Sequence, residues 1–241
     1  MLKCDFHMHV DADPLDYIRY SAEELVDYAA EQKFDVLAIT CHDYVFPVAN
    51  IQDYAAKKGI ILLQGAEKTL QGKHVLMYGI TQEDLESVKT FDDLRKLRKQ
   101  KNILVIAPHP YYPMHFCLKT LLEKNIDCFD AIEYSHAHVQ GINFNKKAVE
   151  TALKHNKPLV GMSDAHHLFQ FGTTYSMVDS VKTPEAVVSA IKQEKVEYVS
   201  LPLSPRKAFK IFWWVIFSIV QRVLFGHPRS KKHASSVKQH L

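Results

Sequence analysis

Histidines and carboxylates recur along this chain at spacings that suit metal chemistry. His7 and His9 are one residue apart, Asp13 stands four residues after His9, and His42 is followed at once by Asp43. Glu67 closes a Gly-Ala-Glu run, and His74, His109 and an Asp164-Ala165-His166 triplet follow. Two imidazoles on alternate residues at a strand end can be splayed toward one cation, although a lone pair of this kind is more often surface or core histidine. Nine candidate ligands (His7, His9, Asp13, His42, Glu67, His74, His109, Asp164 and His166) exceed the roughly four to six that one ion takes, so two or three divalent ions bridged by Glu67 would use them. Mixed imidazole and carboxylate donors suit Zn, Mn or Fe, whereas Ca and Mg prefer oxygen.

The elements that must position these groups follow from hydrophobic periodicity. Short apolar runs predict strands at Leu2 to Phe6, Phe34 to Thr40, Ile60 to Gln64, His74 to Ile80, Ile103 to Ala107, Ala131 to Tyr134 and Leu159 to Met162. Helices are predicted after a Ser21/Glu24 capping box, near Val48 to Lys58, over Glu83 to Lys101, around His115 to Lys124 and Asn145 to Asn156, and from Thr183-Pro184 to about Gln193. Strand followed by helix, repeated, calls for parallel strands with crossover helices. Almost every predicted strand ends on a histidine or carboxylate, and such ends converge only if the sheet closes. The reading is therefore an α/β barrel with its chemistry at the carboxyl-end rim.

The composition fits one large domain: 241 residues, 47% hydrophobic and 24% charged, exclude collagen-like and wholly disordered chains. The first ten residues hold no apolar signal-peptide core, and Cys4, Cys41, Cys117 and Cys128 form no C-x-x-C pair. Reduced thiols and a cytoplasmic location are expected. The net charge of +3 hides an asymmetry, because Arg206, Lys207, Lys210, Arg222, Arg229, Lys231, Lys232 and Lys238 follow the last acidic residue, Glu197. The first 197 residues are left with 22 basic against 27 acidic groups, a charge of −5. The acidic body argues against a stable nucleic-acid complex, and the basic end suggests an anionic partner. Ile211 to Val220 reads IFWWVIFSIV, too short for a confident bilayer span of about 20 residues. The expected division is a barrel domain over 1–205, a hydrophobic, basic-flanked helix over 206–226 and a disordered basic tail over 227–241. The helix could cap the core, lie on an anionic membrane surface such as the inner face of the cell membrane, or contact a second copy.

Asp5-Phe6-His7-Met8-His9, Ile39-Thr40-Cys41-His42-Asp43, Gly65-Ala66-Glu67, Ala107-Pro108-His109-Pro110 and Gly161-Met162-Ser163-Asp164-Ala165-His166 occur in this order. Together they resemble the PHP (polymerase and histidinol phosphatase) family of metal-dependent phosphoesterases. The resemblance implies a distorted (β/α)7 TIM-like barrel and a site of two or three Zn, Mn or Fe ions. Its ligand positions fall on His7, His9, His42, Glu67, His109, Asp164 and His166, with His74 a further match and Asp13 in a loop where the family varies. Cys41 stands where the family usually has an Asp that would orient His42, and Ser135 where Asn is common. The implied activity is hydrolysis of phosphate esters through a metal-bound hydroxide, with small phosphomonoesters (nucleotide, sugar or amino-alcohol phosphates) as first choice. Phosphodiesters of oligonucleotides or cyclic nucleotides are second, and a catalytically weak accessory protein docking through its basic tail is the rival class. Candidate proton-transfer groups are Asp43 and His136. His138 is a candidate phosphate donor, the two histidines being alternatively polar residues of an exposed loop. Arg19, Lys68 and His167 adjoin the motifs and are candidate substrate contacts, against plain surface charge.

Overall fold

The computed structural model describes residues 1–211 and 213. Nine strands form one sheet: β1 (Leu2–Met8), β2 (Val36–Ile39), β3 (Ile61–Leu70), β4 (Lys73–Tyr78), β5 (Leu104–Ala107), β6 (Ala131–Ser135), β7 (Leu159–Met162), β8 (Thr174–Val178) and β9 (Val196–Ser200). The helices are α1 (Ala22–Glu31), α2 (Gln52–Lys57), α3 (Gln82–Ser87), α4 (Phe91–Gln100), α5 (Thr120–Lys124), α6 (Lys146–Lys154) and α7 (Pro184–Lys192). The sheet runs β7-β6-β5-β4-β3-β2-β1-β8-β9 and curls until its two edges meet. At that seam the Ser176 hydroxyl of β8 donates to the Gly161 carbonyl of β7 at 2.9 Å. A Cβ on Gly161 would lie 2.5 Å from the Tyr175 carbonyl oxygen, so only glycine admits the approach.

All seven expected strands are present, and the nearly closed barrel agrees with the sequence reading. The expectation of wholly parallel strands needs correction. β4 pairs antiparallel with both β3 and β5, and β8 and β9, which the hydrophobic pattern did not announce, join antiparallel beside β1. The β3–β4 pair is a hairpin whose Gln71 and Gly72 take positive φ of 51° and 73°, the backbone a tight turn requires. The expected helix over Glu83 to Lys101 is two helices, because Thr81 and Thr90 each open a capping box with Asp84 and Asp93. α5 begins only at Thr120, which leaves His115 in the preceding turn rather than on a helix.

Three apolar layers hold the barrel. Phe6, Val36, Ala38, Leu63, Tyr78 and Ile106 pack together with Val187 and Ile191 of α7. α7 thus plugs the end away from the metal-ligand candidates, and Lys182 and Lys192 tie its ends to Asp35 and Asn102, just before β2 and β5. The Tyr78 hydroxyl donates to the Phe6 carbonyl at 2.7 Å, a buried pairing between β4 and β1. α1 and α2 cover β1 and β2, and α3, α4 and α6 cover β3 to β6. Strict alternation would put Phe6 and Met8 on one face of β1, yet Phe6 joins the layer with Tyr78 while Met8 joins the one with α1. The register with β2 shifts between Asp5 and Met8, and that irregularity re-aims the histidines beside it.

The backbone is helical over 205–211 and at 213, at the start of the segment expected to be a hydrophobic helix; the other residues of that segment and the expected disordered tail lie outside the described residues. No helix among the described residues is long and apolar enough to cross a membrane.

Candidate metal centre

The parallel strands deliver their groups from the carboxyl half of the strand or the loop beyond it, and the antiparallel β4 from its amino end. β1 brings His7 and leads to His9, the residues after β2 bring His42, β3 carries Glu67, β4 starts at His74, and His109 follows β5. Asp164 and His166 follow β7, and the Ala165 carbonyl accepts from the His9 amide at 3.2 Å, which fixes that loop to β1. His109 and Asp164 hold positive φ of 28° and 46°, strain kept where these side chains must turn inward.

Glu67 is the hub. Its Oε2 lies 3.3 Å from His7 Nε2, 3.5 Å from His9 Nε2 and 3.1 Å from His42 Nε2, while Oε1 lies 2.8 Å from His74 Nδ1 and 3.2 Å from His109 Nε2. Asp164 Oδ1 stands 3.4 Å from both His7 Nε2 and His9 Nε2. Ring centroids of His9 lie 4.5 Å from His42 and 4.4 Å from His166, so the set is one cluster. Eight of the nine candidates converge on Glu67 or Asp164; Asp13 is adjacent but turned to a different task. Its Oδ1 accepts the amides of Leu15 and Asp16, and its Oδ2 accepts His9 Nδ1 at 2.8 Å, His42 Nδ1 at 3.0 Å and the His42 amide at 2.9 Å.

The donor set fits metal ions. His7 Nε2, His9 Nε2 and Asp164 Oδ1 are buried and converge without any hydrogen-bond partner, a costly arrangement unless a cation sits among them. Five overlapping groups of three donors satisfy metal-ligand spacing, among them His7, His9 and Glu67, and His9, Asp164 and His166. Burial alone would neutralise these groups, but opposite charges hold several of them ionised: Glu67 lies well below the usual carboxylate range beside His74, His7 and His42, whereas at His74 burial prevails and draws the imidazole below its ordinary value. His42 is carried up to about 9 by Glu67 and Asp13 against its burial.

The outer ring nitrogens, Nδ1 of His7 and His109 and Nε2 of His166, are held from behind. Glu133, fully buried on β6, accepts His7 Nδ1 at 3.0 Å and the His109 amide at 3.2 Å. Asp16 accepts His166 Nε2 at 3.1 Å, and Cys117 Sγ lies 3.5 Å from His109 Nδ1. From the sequence Glu133 reads only as one of the strand-end carboxylates, with no part assigned to it, and Asp16 and Cys117 go unnoticed as site residues because they sit in loops with no periodic signal. Gln170 was missed as well. It is buried, accepts the His166 amide at 3.0 Å and meets His136 Nε2 at 3.4 Å.

The fold has known counterparts. The PHP-associated family (PHP_C) matches residues 143–196, from the loop before α6 to the first residue of β9. A two-domain protein of Bacteroides vulgatus containing a predicted PHP-like metal-dependent phosphoesterase superposes with a TM-score of 0.64 at 20% identity, covering 88% of this chain and 69% of that one. The chain has the PHP fold. PsfC of Pseudomonas syringae shares it at the same TM-score of 0.64 and 16% identity, over 91% of this chain and 98% of its own. So does a lesion-specific endonuclease of Pyrococcus furiosus, with a TM-score of 0.55 at 15% identity, over 85% of this chain and 60% of that one. No curated protein matches the chain in sequence.

On this PHP fold the departure at Cys41 is compensated. Cys41 is fully buried among apolar neighbours, and Asp13 with Asp16, 3.6 Å away, takes over the His42 ring. Ser135 is bracketed by Asn145, whose side chain bonds both its amide and its carbonyl. Among the other candidates, His136 and His138 are buried, not on an exposed loop, and His138 Nε2 contacts Ser200 Oγ at 2.8 Å. Burial pulls His136 down to about 4. Asp43 and Lys68 pair with each other at 3.0 Å, and Asp43 also accepts the Thr69 amide. Arg19 is exposed, its guanidinium over the Tyr17 ring, and His167 stacks on Phe169.

Proposed function

We propose that the chain is a metal-dependent hydrolase of phosphate esters, with small phosphomonoesters as its substrates. The observation that supports this reading is the convergence of buried imidazole and carboxylate atoms, partnerless among themselves, on Glu67 and Asp164. His7, His9, His42, Glu67, His74, His109, Asp164 and His166 would hold two or three ions of Zn, Mn or Fe. When bound, such a cluster activates water for attack on phosphorus and steadies charge on the phosphoryl oxygens. Asp13, Asp16 and Glu133 fix which ring nitrogen faces inward, as carboxylates behind metal-bound histidines do. His136 is neutral near pH 7, so it suits a hydrogen-bond donor to a phosphoryl oxygen better than a proton donor to the leaving group. Lys68, paired with Asp43, and Arg19 would be the cations that meet a phosphate. The charge of −5 over the first 197 residues favours a small monoester over a long polyanion, which needs a basic track.

The test is metal analysis of the purified protein beside a screen of monoesters, cyclic nucleotides and oligonucleotides, with and without added Mn, Zn or Fe. Metal-dependent release of inorganic phosphate from monoesters is expected. Bound metal with no turnover of any ester would leave the accessory reading; cleavage of diesters alone would overturn the monoester preference.

A further inference from the structure

Large apolar side chains exposed on the described surface are gathered at one end of the barrel. Of twelve, eight lie on the rim that carries the metal centre or on the chain leaving it. Leu15, Tyr17, Met114, Ile142 and Phe144 sit on the loops after β1, β5 and β6. The chain leaves the barrel at the same end, since Ser200 Oγ meets His138 Nε2 and the Leu203 amide donates to the His138 carbonyl at 2.8 Å. The helical residues 205–211 then lie against the loop after β7, with Lys210 Nζ 4.1 Å from the centre of the Phe169 ring. Phe169 stacks on His167, the neighbour of His166. Phe209 and Trp213, their rings 5.9 Å apart, are 64% and 53% exposed.

In composition, the run from Ile211 to Val220 is apolar but for one Ser, and every charge after Glu197 is positive, eight in all, against −5 on the body. We infer that the rim and the segment leaving it form a docking face for an anionic lipid bilayer, with the metal centre opening toward the membrane surface. Aromatic and aliphatic side chains beside Lys and Arg are the composition that enters a headgroup region. A nucleic acid has no use for exposed Leu15, Ile142 and Met114 on its sugar-phosphate surface, and a symmetric dimer through the segment would set one basic cluster against another. The acidic body orients the molecule, repelled from the lipid while the basic end is drawn to it. Docking itself needs no turnover. Only its corollary, a substrate that is a phosphate ester held at the lipid surface, rests on the phosphoesterase reading.

Trp213 and Trp214 are the two tryptophans of the chain, so intrinsic emission reports on this segment directly. The full-length protein should sediment with vesicles of phosphatidylcholine and phosphatidylserine, with a blue-shifted emission, and bind phosphatidylcholine vesicles several-fold less. Raising NaCl to about 1 M, where the screening length falls to about 3 Å, should release most of it. Leu15→Ser with Ile142→Ser, both exposed and outside the ligand set, should lower the bound fraction about threefold or more while circular dichroism and metal content stay unchanged. Equal binding to neutral vesicles, or no binding to anionic ones, overturns the proposal; so does a variant that binds as the parent does, because the rim then takes no part. A dimer in solution that the same variant dissociates would make this face a protein interface instead. The corollary is read separately, with phosphatidic acid in the vesicles against soluble p-nitrophenyl phosphate. If the protein docks but hydrolyses neither, the docking inference stands and the phosphoesterase reading fails.

Discussion

A single carboxylate, Asp13, holds two histidines by their Nδ1 atoms, and a second, Glu67, faces five ring nitrogens. The two should therefore respond differently to loss of charge. Glu67→Gln is expected to lower metal content and turnover together by at least about tenfold, because the neutral amide no longer balances neighbouring cations. Asp13→Asn should leave the fold intact and weaken metal affinity by about 10- to 100-fold, measured by titration with a competing chelator. Placing at position 41 the Asp expected there from the resemblance to PHP proteins should not help. Cys41 is fully buried against apolar groups, so Cys41→Asp is expected to destabilise the protein by about 3 kcal/mol in urea unfolding. His155→Asn, at the far end of α6 and facing Glu123, should leave activity within about twofold of the parent. The groups that could touch a metal were legible because their types are rare and their spacing is fixed to strand ends. The groups behind them were not: a loop Asp such as Asp16 looks like any solvated carboxylate until His166 is folded against it.

At the scale of the element, the strands bearing ligands were legible as short apolar runs, and the capping boxes at Ser21, Thr81 and Thr90 set helix starts locally. β8 and β9 escaped notice for a physical reason. Thr174–Val178 alternates between buried and half-buried residues, Val196–Ser200 is half-buried to exposed with no buried residue, and what makes them strands is pairing with β1 and each other, contacts remote in sequence. Their role is closure, and closure depends on one missing side chain. Gly161→Ala would thrust a methyl group to 2.5 Å from the Tyr175 carbonyl and 2.9 Å from Tyr198 Cβ. The expected cost is about 1 to 3 kcal/mol in chemical denaturation. Gly59→Ala, where no atom lies within 4 Å, meets only its positive φ of 75° and should cost about 1 kcal/mol.

For the whole molecule, the clustered histidines set a pH dependence of opposite sign with and without metal. Burial alone would lower their pKa, but Asp16 and Asp164 carry His166 up to about 10, and Glu67 with Asp13 carries His42 up to about 9. A group raised above its ordinary value of 6.5 contributes stability that is complete below that pH and is lost as pH rises through the folded value. The metal-free protein should therefore lose thermal stability as pH is raised from about 7 to about 10. Metal binding requires the same rings unprotonated, so added Mn or Zn should raise the melting temperature more at pH 8 than at pH 6 and release protons as it binds. Either trend reversed in differential scanning calorimetry would mean that the rings are not paired with the carboxylates in solution.

The distance along the chain between partners has a further effect. The Asp5 carboxylate receives the Ser163 amide across 158 residues, and His7 meets Glu133 across 126. During synthesis, then, the amino-terminal histidines emerge long before the groups that complete their surroundings. Three of the donor triplets lie within the first 74 residues, but the other two need His109, Asp164 or His166, so the cluster is complete only once the loop after β7 has folded back onto β1. Completion of the metal site is thereby a late event in the life of the nascent chain, and a ribosome-bound chain that ends before Asp164 should bind fewer Mn or Zn ions, and more weakly, than the finished protein.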